Sequence, residues 1–327
     1  MFAAKLGRGI NIGNSLDVTG VKEYHPDAKD GEYETFWGNP RITPMLFQAV
    51  RKAGFSTVRL PVTWEEHLNE QGSVSEAWMD RVQEVVDQAL EQDLYVILNT
   101  HHEEWMNLEA KNAKWIEERF AFVWTQIAER FENYDEHLLF EGMNEPRLRN
   151  SREEWSAGNR QLQEMVNRLN QVFVDTVRGM GKQNRSRYLL ICPYGNNSRA
   201  MEALEVLDGR VFVSIHMYEP YWFCQDEEGG GQWKDVSEKE KQQIEEAFQN
   251  MNRLFTGKGI PVVLTEFGCR DKGNTDSRTK WIAFYKGLAD KYGVVCIWWD
   301  NGSNYQLINR ENGQVVYPGM TAELVKP

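Results

Sequence analysis

Short apolar runs alternate with longer amphipathic segments along the whole chain, with polar turns between them. Eight runs have the length and content of strands: 9–12, 56–61, 94–99, 138–143, 187–192, 211–216, 261–266 and 294–299. Most are almost continuously apolar, as strands buried on both faces are. The segments 43–53, 75–92, 113–133, 153–180, 238–256 and 276–291 carry apolar residues at helical spacing. Thr43-Pro44 offers a cap followed by a first-turn proline, and Ser237 with Glu240 spells a capping box. A short helix at 198–206 and a last one at 319–326 complete the set. Strand, turn and helix in repetition is the pattern of βα units around a parallel sheet. Eight such units in about 300 residues predict an α/β fold, a (β/α)8 TIM barrel, as a single domain over 1–327. A doubly wound open sheet would want a glycine-rich phosphate loop after the first strand. GRGINIGN holds glycines there, but not at the GxGxxG spacing.

Composition changes this picture in three ways. Hydrophobic residues at 41% and charged residues at 26% are ordinary for a folded domain, so disorder is excluded. The 12 tryptophans suggest faces that stack on flat apolar ligands such as sugar rings, with a large aromatic core as the other use for them. The net charge of −12, with no basic cluster, disfavours nucleic acid and suits an uncharged ligand. Cys192, Cys224, Cys269 and Cys296 show no metal spacing and no disulfide framework, although a single bridge stays open. There is no apolar run of transmembrane length, so no membrane partner is expected. No signal peptide is read at the start, which leaves either an intracellular protein or a leader lying outside this sequence.

A barrel enzyme keeps its chemistry at the C-terminal ends of its strands. Asn14 and Asp17 follow the first strand, Arg59 lies in the second, and His101-His102 follow the third. Asn144-Glu145 ends the fourth, His216 and Tyr218 the sixth, Glu266 the seventh and Trp299 the eighth. Glu145 and Glu266 come from opposite sides of the ring and can face each other across its mouth. Two opposed carboxylates suit glycoside hydrolysis, one protonated to serve the leaving oxygen and one ionised to attack the anomeric carbon. Arg59 would keep Glu266 ionised, Tyr218 would donate to the same carboxylate, and Asn144 would bond the sugar 2-OH. A metal centre is the chemical rival. Adjacent histidines on a strand point to opposite faces, and no HExxH motif is present, so no metal is expected.

The blocks RGINIGNSLD, GFSTVRLPVTWEEHL, VILNTHHE, LLFEGMNEPR, SIHMYEPY, IPVVLTEFG and WWDNG resemble glycoside hydrolase family 5, the cellulase-type members. The resemblance runs in family order from about residue 7 to 305. It is nearest to bacterial endo-β-1,4-glucanases, lichenases and xyloglucanases. It implies a retaining barrel enzyme without cofactor, with Glu145 as acid/base and Glu266 as nucleophile. It implies a −1 subsite of Arg59, His101, His102, Asn144, His216, Tyr218 and Trp299. Asn14 and Asp17 match contacts to the −2 sugar, and Trp37 matches an aromatic platform further along the glycone side. Thr265 departs from the glycine common in relatives and is expected to alternate away from the mouth.

The segment 219–237 carries Tyr221, Trp222, Phe223 and Trp233 around Gly229-Gly230-Gly231. It is expected to build the aglycone side, with Trp222 and Trp233 on the sugar; pinning the loop is the other use for these rings. Trp155 falls inside a helix pattern and is expected to pack. Glu145 is expected to have a raised pKa, and the two carboxylates to stand ~5–5.5 Å apart. The expected partner is a β-glucan: cellulose-type or mixed-linkage first, xyloglucan next, mannan or xylan behind. The connection after the first strand shows no plug, so endo action is favoured over exo. A monomer is expected. A polymeric substrate implies an extracellular place of action, with a cytoplasmic one left open.

Overall fold

The computed structural model describes residues 2–206 and 208–326. Eight parallel strands close in sequence order: β1 (Arg8–Asn11), β2 (Thr57–Leu60), β3 (Tyr95–Asn99), β4 (Leu138–Glu141), β5 (Leu189–Ile191), β6 (Val211–Met217), β7 (Val262–Phe267) and β8 (Val294–Trp298). β1 pairs with β8 through Gly9 opposite Ile297, which closes the ring. The (β/α)8 barrel expected from the alternating pattern is therefore present.

Around it lie α1 (Pro44–Lys52), α2 (Glu76–Leu90), α3 (Ala113–Arg130), α4 (Arg160–Gly179), α5 (Glu238–Leu254), α6 (Thr275–Tyr292) and α7 (Pro318–Val325). The Ser237–Glu240 capping box opens α5 as the sequence spells it. After β5 the expected helix is a 3₁₀ stretch, Ser198–Ala203. The expected helix at 153–180 begins only at Arg160. Gly158 sits at φ +69° and Asn159 caps the helix by accepting from the Leu162 N–H, so 150–159 is a loop on the C-terminal rim. All four cysteines are buried free thiols. Among the described residues no helix is long and apolar enough to cross a membrane.

The strand interior is layered by the period of two. The outer phase (Val58, Val96, Phe140, Val213, Leu264) packs on the helices in the main core. The inner phase begins at the bottom with a separate apolar cluster: Leu6, Ile97, Leu139, Leu190, Phe212, Val263, Val295 and Ile297. Two residues further along the strands the same phase turns polar, with Asn11, Arg59, Asn99, Glu141, Ser214 and Thr265 all fully buried. The site stands on this polar layer.

Candidate active site

Arg59 is the centre of the layer. Its Nε donates to Glu141 at 2.6 Å, Nη1 to Asn11 at 2.9 Å and to Glu266 at 2.7 Å, and Nη2 to Asn144 at 2.8 Å. Four directions from one planar fork are what a guanidinium provides and an ammonium does not. Burial works against its charge, but Glu141 and Glu266 outweigh burial and raise its pKa further.

Glu266 reaches the mouth through an irregularity. Ile215 pairs with Leu264 but His216 pairs with Glu266, so Thr265 is the extra residue of a β-bulge. Bulges re-aim side chains next to active sites. Thr265 keeps the inner phase of Val263, with Oγ1 2.6 Å from Ser214 Oγ. It does not alternate away from the mouth as expected, because the bulge turns Thr265 and Glu266 both inward. Glu266 Oε2 accepts from Tyr218 Oη at 2.8 Å. Burial, then the charge of Glu266, hold the Tyr218 hydroxyl protonated far above its ordinary range.

Glu145 lies four residues beyond β4, at φ +46°. Its backbone N–H donates to Asn196 Oδ1 at 2.7 Å. Its carboxylate meets His216 Nδ1 at 3.0 Å and Arg147 Nη1 at 3.4 Å. His216 Nδ1 also stands 3.6 Å from Glu266. An oxygen of Glu145, one of Glu266 and a ring nitrogen of His216 all lie within 4.8 Å of one another. The raised pKa expected of Glu145 is not found. Burial pushes the carboxyl up, but the His216 hydrogen bond and the charges of His216, Arg147 and His102 outweigh it and hold the carboxyl below its ordinary value.

Above these groups opens a cleft of about 650 Å³, walled by His101, His102, Asn144, His216, Tyr218 and Trp299, with Glu145 and Glu266 on its floor. Trp299 lies parallel to His101, with ring centroids 6.0 Å apart. Gly13 makes room for it, since a Cβ there would stand 2.5 Å from the indole. His102 is pulled down to about 4 by burial, against the pull of Glu145 and Glu266. β3 ends at Asn99, so strand alternation does not separate the two histidines as expected; their rings meet at 4.4 Å. Two sets of donors, Asp17/His101/His102 and Glu145/His216/Glu266, are close enough to share an ion. In the second set Arg59 and Arg147 already engage the carboxylates, which opposes a further cation.

On the β1 side of the cleft Asn14 is half-buried and Trp37 is exposed, its ring 6.1 Å from His102. Asp17 is fully buried. It accepts the Ser15 N–H, and its Oδ2 lies 4.0 Å from His101 Nε2. These contacts brace the loop that follows β1 beside His101.

The opposite rim differs more from expectation. Trp222 donates to Glu240 at 2.8 Å and lines an adjoining groove rather than the cleft. Trp233 packs against Phe223 and Phe284, under Lys241. Both rings pin the loop, and neither lines the cleft around the two carboxylates. The aromatics that do wall it are Tyr221, 68% exposed, and Trp155, 59% exposed. Trp155 was expected to pack in a helix; the late start of α4 leaves it on the rim, over the Arg147 guanidinium at 4.1 Å. Sequence reasoning also missed Glu141, Asn99 and Ser214. Their signal was a polar letter two places beyond an apolar one inside an otherwise apolar strand.

Residues 21–305 match the profile described as Cellulase (glycosyl hydrolase family 5). Endoglucanase 1 of Ruminococcus albus is 39% identical, over 98% of this chain and 79% of its own length. A solved broad-specificity endoglucanase from Ruminococcus champanellensis with bound cellotriose superposes with a TM-score of 0.94 at 35% identity, covering 99% of this chain and 97% of that one. A xyloglucan-specific endo-β-1,4-glucanase from a metagenomic library, in complex with cellotriose, gives 0.92 at 36%, covering 99% and 97%.

Proposed function

The chain belongs to glycoside hydrolase family 5, and on that premise we propose that it is a retaining endo-β-1,4-glucanase in which Glu266 is the nucleophile and Glu145 the acid/base. The observation that carries this reading is the approach of the two carboxylates to within 4.8 Å. Retaining glycosidases hold theirs about 5–5.5 Å apart, whereas inverting enzymes leave about 6.5–9.5 Å for a water.

Glu266 attacks C1 while its charge is steadied by Arg59 and its second oxygen by Tyr218. Glu145, as the acid, gives its proton to the glycosidic oxygen. Once Glu266 is esterified its charge is gone, and Glu145 takes a proton from water to release the sugar. Asn144, oriented by Arg59 Nη2, faces the sugar 2-OH. Trp299 and Trp37 receive the glycone, and Trp155 with Tyr221 receive the aglycone.

Two relatives bound to cellotriose favour a β-1,4-glucan backbone over mannan or xylan. Both of those relatives are endo-acting by name, and here the exposed Trp155 and Tyr221 wall one side of the cleft while exposed Trp37 stands near His102 on the other. The chain works as one catalytic barrel and as a monomer, on a polymer outside the cell. Product analysis on carboxymethylcellulose, lichenan, xyloglucan and mannan tests this. Mixed oligosaccharides of retained β configuration are expected from the glucans; an α-anomeric first product would sink the mechanism.

A further inference from the structure

Glu141 has no part in the reaction just described, yet both reacting carboxylates are tied to it. It is fully buried on β4. Its Oε2 accepts from Arg59 Nε at 2.6 Å and Asn99 Nδ2 at 3.1 Å, and its Oε1 accepts from Ser214 Oγ at 2.6 Å. Hydrogen bonds leave it in two directions. Through Arg59 Nη1 they reach Glu266. Through Ser214 Oγ, which accepts from Asn196 Nδ2 at 2.8 Å, they reach Asn196, whose Oδ1 holds the Glu145 N–H at 2.7 Å. Glu145 needs such a hold, because its φ of +46° lies where non-glycine residues rarely rest.

The charges point the same way. One guanidinium faces two buried carboxylates, so the negative charge of Glu141 offsets part of the stabilisation that Arg59 gives Glu266. Resting on the assignment of Glu145 and Glu266 above, we propose that Glu141 is a positioning residue whose charge offsets part of that of Arg59 at the nucleophile and, through Ser214 and Asn196, sets where the acid/base stands. A Glu266 steadied by an unshared Arg59 would attack more weakly and stay ionised in more acid solution. The other groups facing Glu266 are His216 on β6 at 3.6 Å, Tyr218 beyond it, Glu145 beyond β4, and His102 beyond β3.

The test is Glu141→Gln, which keeps the shape and an acceptor for Arg59 while removing the charge. On soluble β-glucan, kcat should fall about tenfold or more with KM little changed, as when a transition-state interaction alone is lost. The acid limb of kcat/KM should move to lower pH by about half a unit or more. A lower melting temperature with an unmoved acid limb and normal kcat would overturn the proposal. Ser214→Ala keeps the charge of Glu141 but cuts the path to Asn196. It should leave the acid limb in place and lower kcat/KM more on β-glucan than on dinitrophenyl β-cellobioside, whose leaving group departs without a proton. Equal losses on both substrates would overturn the second half, and this variant decides alone if Glu141→Gln does not fold. Glu145→Gln and Glu266→Ala run beside them. If either stays active, the assignment of the pair fails; if both are dead while Glu141→Gln matches wild type, only the positioning role fails.

Discussion

Replacing Arg59 by Met is the most severe small change this site offers. It leaves Glu141 and Glu266 buried with their shared counter-charge removed and leaves Asn11 and Asn144 without a donor. Breaking a buried ion pair by removing one partner costs about 3–5 kcal/mol. A chain of 327 residues unfolds with an entropy of about 0.7 kcal/mol/K, so the melting temperature should drop by roughly 4–7 °C. The folded fraction should also be a poor catalyst. With no cation beside it, Glu266 takes up a proton more readily, and Asn144 loses its orientation. Losing one charge-stabilising group in an active site typically costs about 10²–10³ in kcat. Scanning calorimetry and reducing-sugar release on lichenan measure the two effects separately. An Arg59→Met protein melting within about 1 °C of wild type would refute the account of the polar layer. Retention of a tenth of wild-type kcat, or more, would refute the account of Glu266.

Arg147→Met removes a cation from beside Glu145. A nearby positive charge favours the ionised carboxylate, so without it the acid proton is held to higher pH, and the alkaline limb of kcat/KM should move up; a downward shift would contradict the electrostatics described. Trp155→Ala and Tyr221→Ala should each raise KM on long glucans about fivefold, the equivalent of about 1 kcal/mol of stacking. Trp222→Ala should lower the melting temperature and leave KM alone, and comparing the three by kinetics and thermal melts separates cleft aromatics from loop pins. Gly13→Ala drives a methyl into the Trp299 indole and should lower kcat/KM at least about tenfold, a displacement that indole fluorescence would report. Since all four thiols are free, thermal melts with and without reductant should coincide.

The barrel was legible because fully buried strands and amphipathic helices leave different periods in the sequence. All eight strands stand within two residues of their expected bounds, and His101, His102, Asn144, Glu145, His216, Tyr218, Glu266 and Trp299 line one cleft. What could not be read has physical causes. The bulge at Thr265 breaks the alternation from which its direction was inferred. The helical look of 153–159 hid a glycine in the left-handed region at 158, and with it the exposure of Trp155. Trp222 and Trp233 share composition with a sugar platform, and only tertiary packing reveals that they anchor a loop. The depressed proton affinity of Glu145 depends on His216 and Arg147 arriving beside it, which no spacing announces.

An apolar cluster lies beneath the polar layer. Leu6 and the inward side chains of β3 to β8 fill the barrel floor without a polar partner in the catalytic layer. Strain and charge in the upper storey therefore rest on a foundation that takes no part in the reaction. Mutations in that foundation should alter how long the enzyme survives heat while leaving its pH optimum and substrate preference where they are. An engineer seeking durability has a region to work in that the chemistry does not touch.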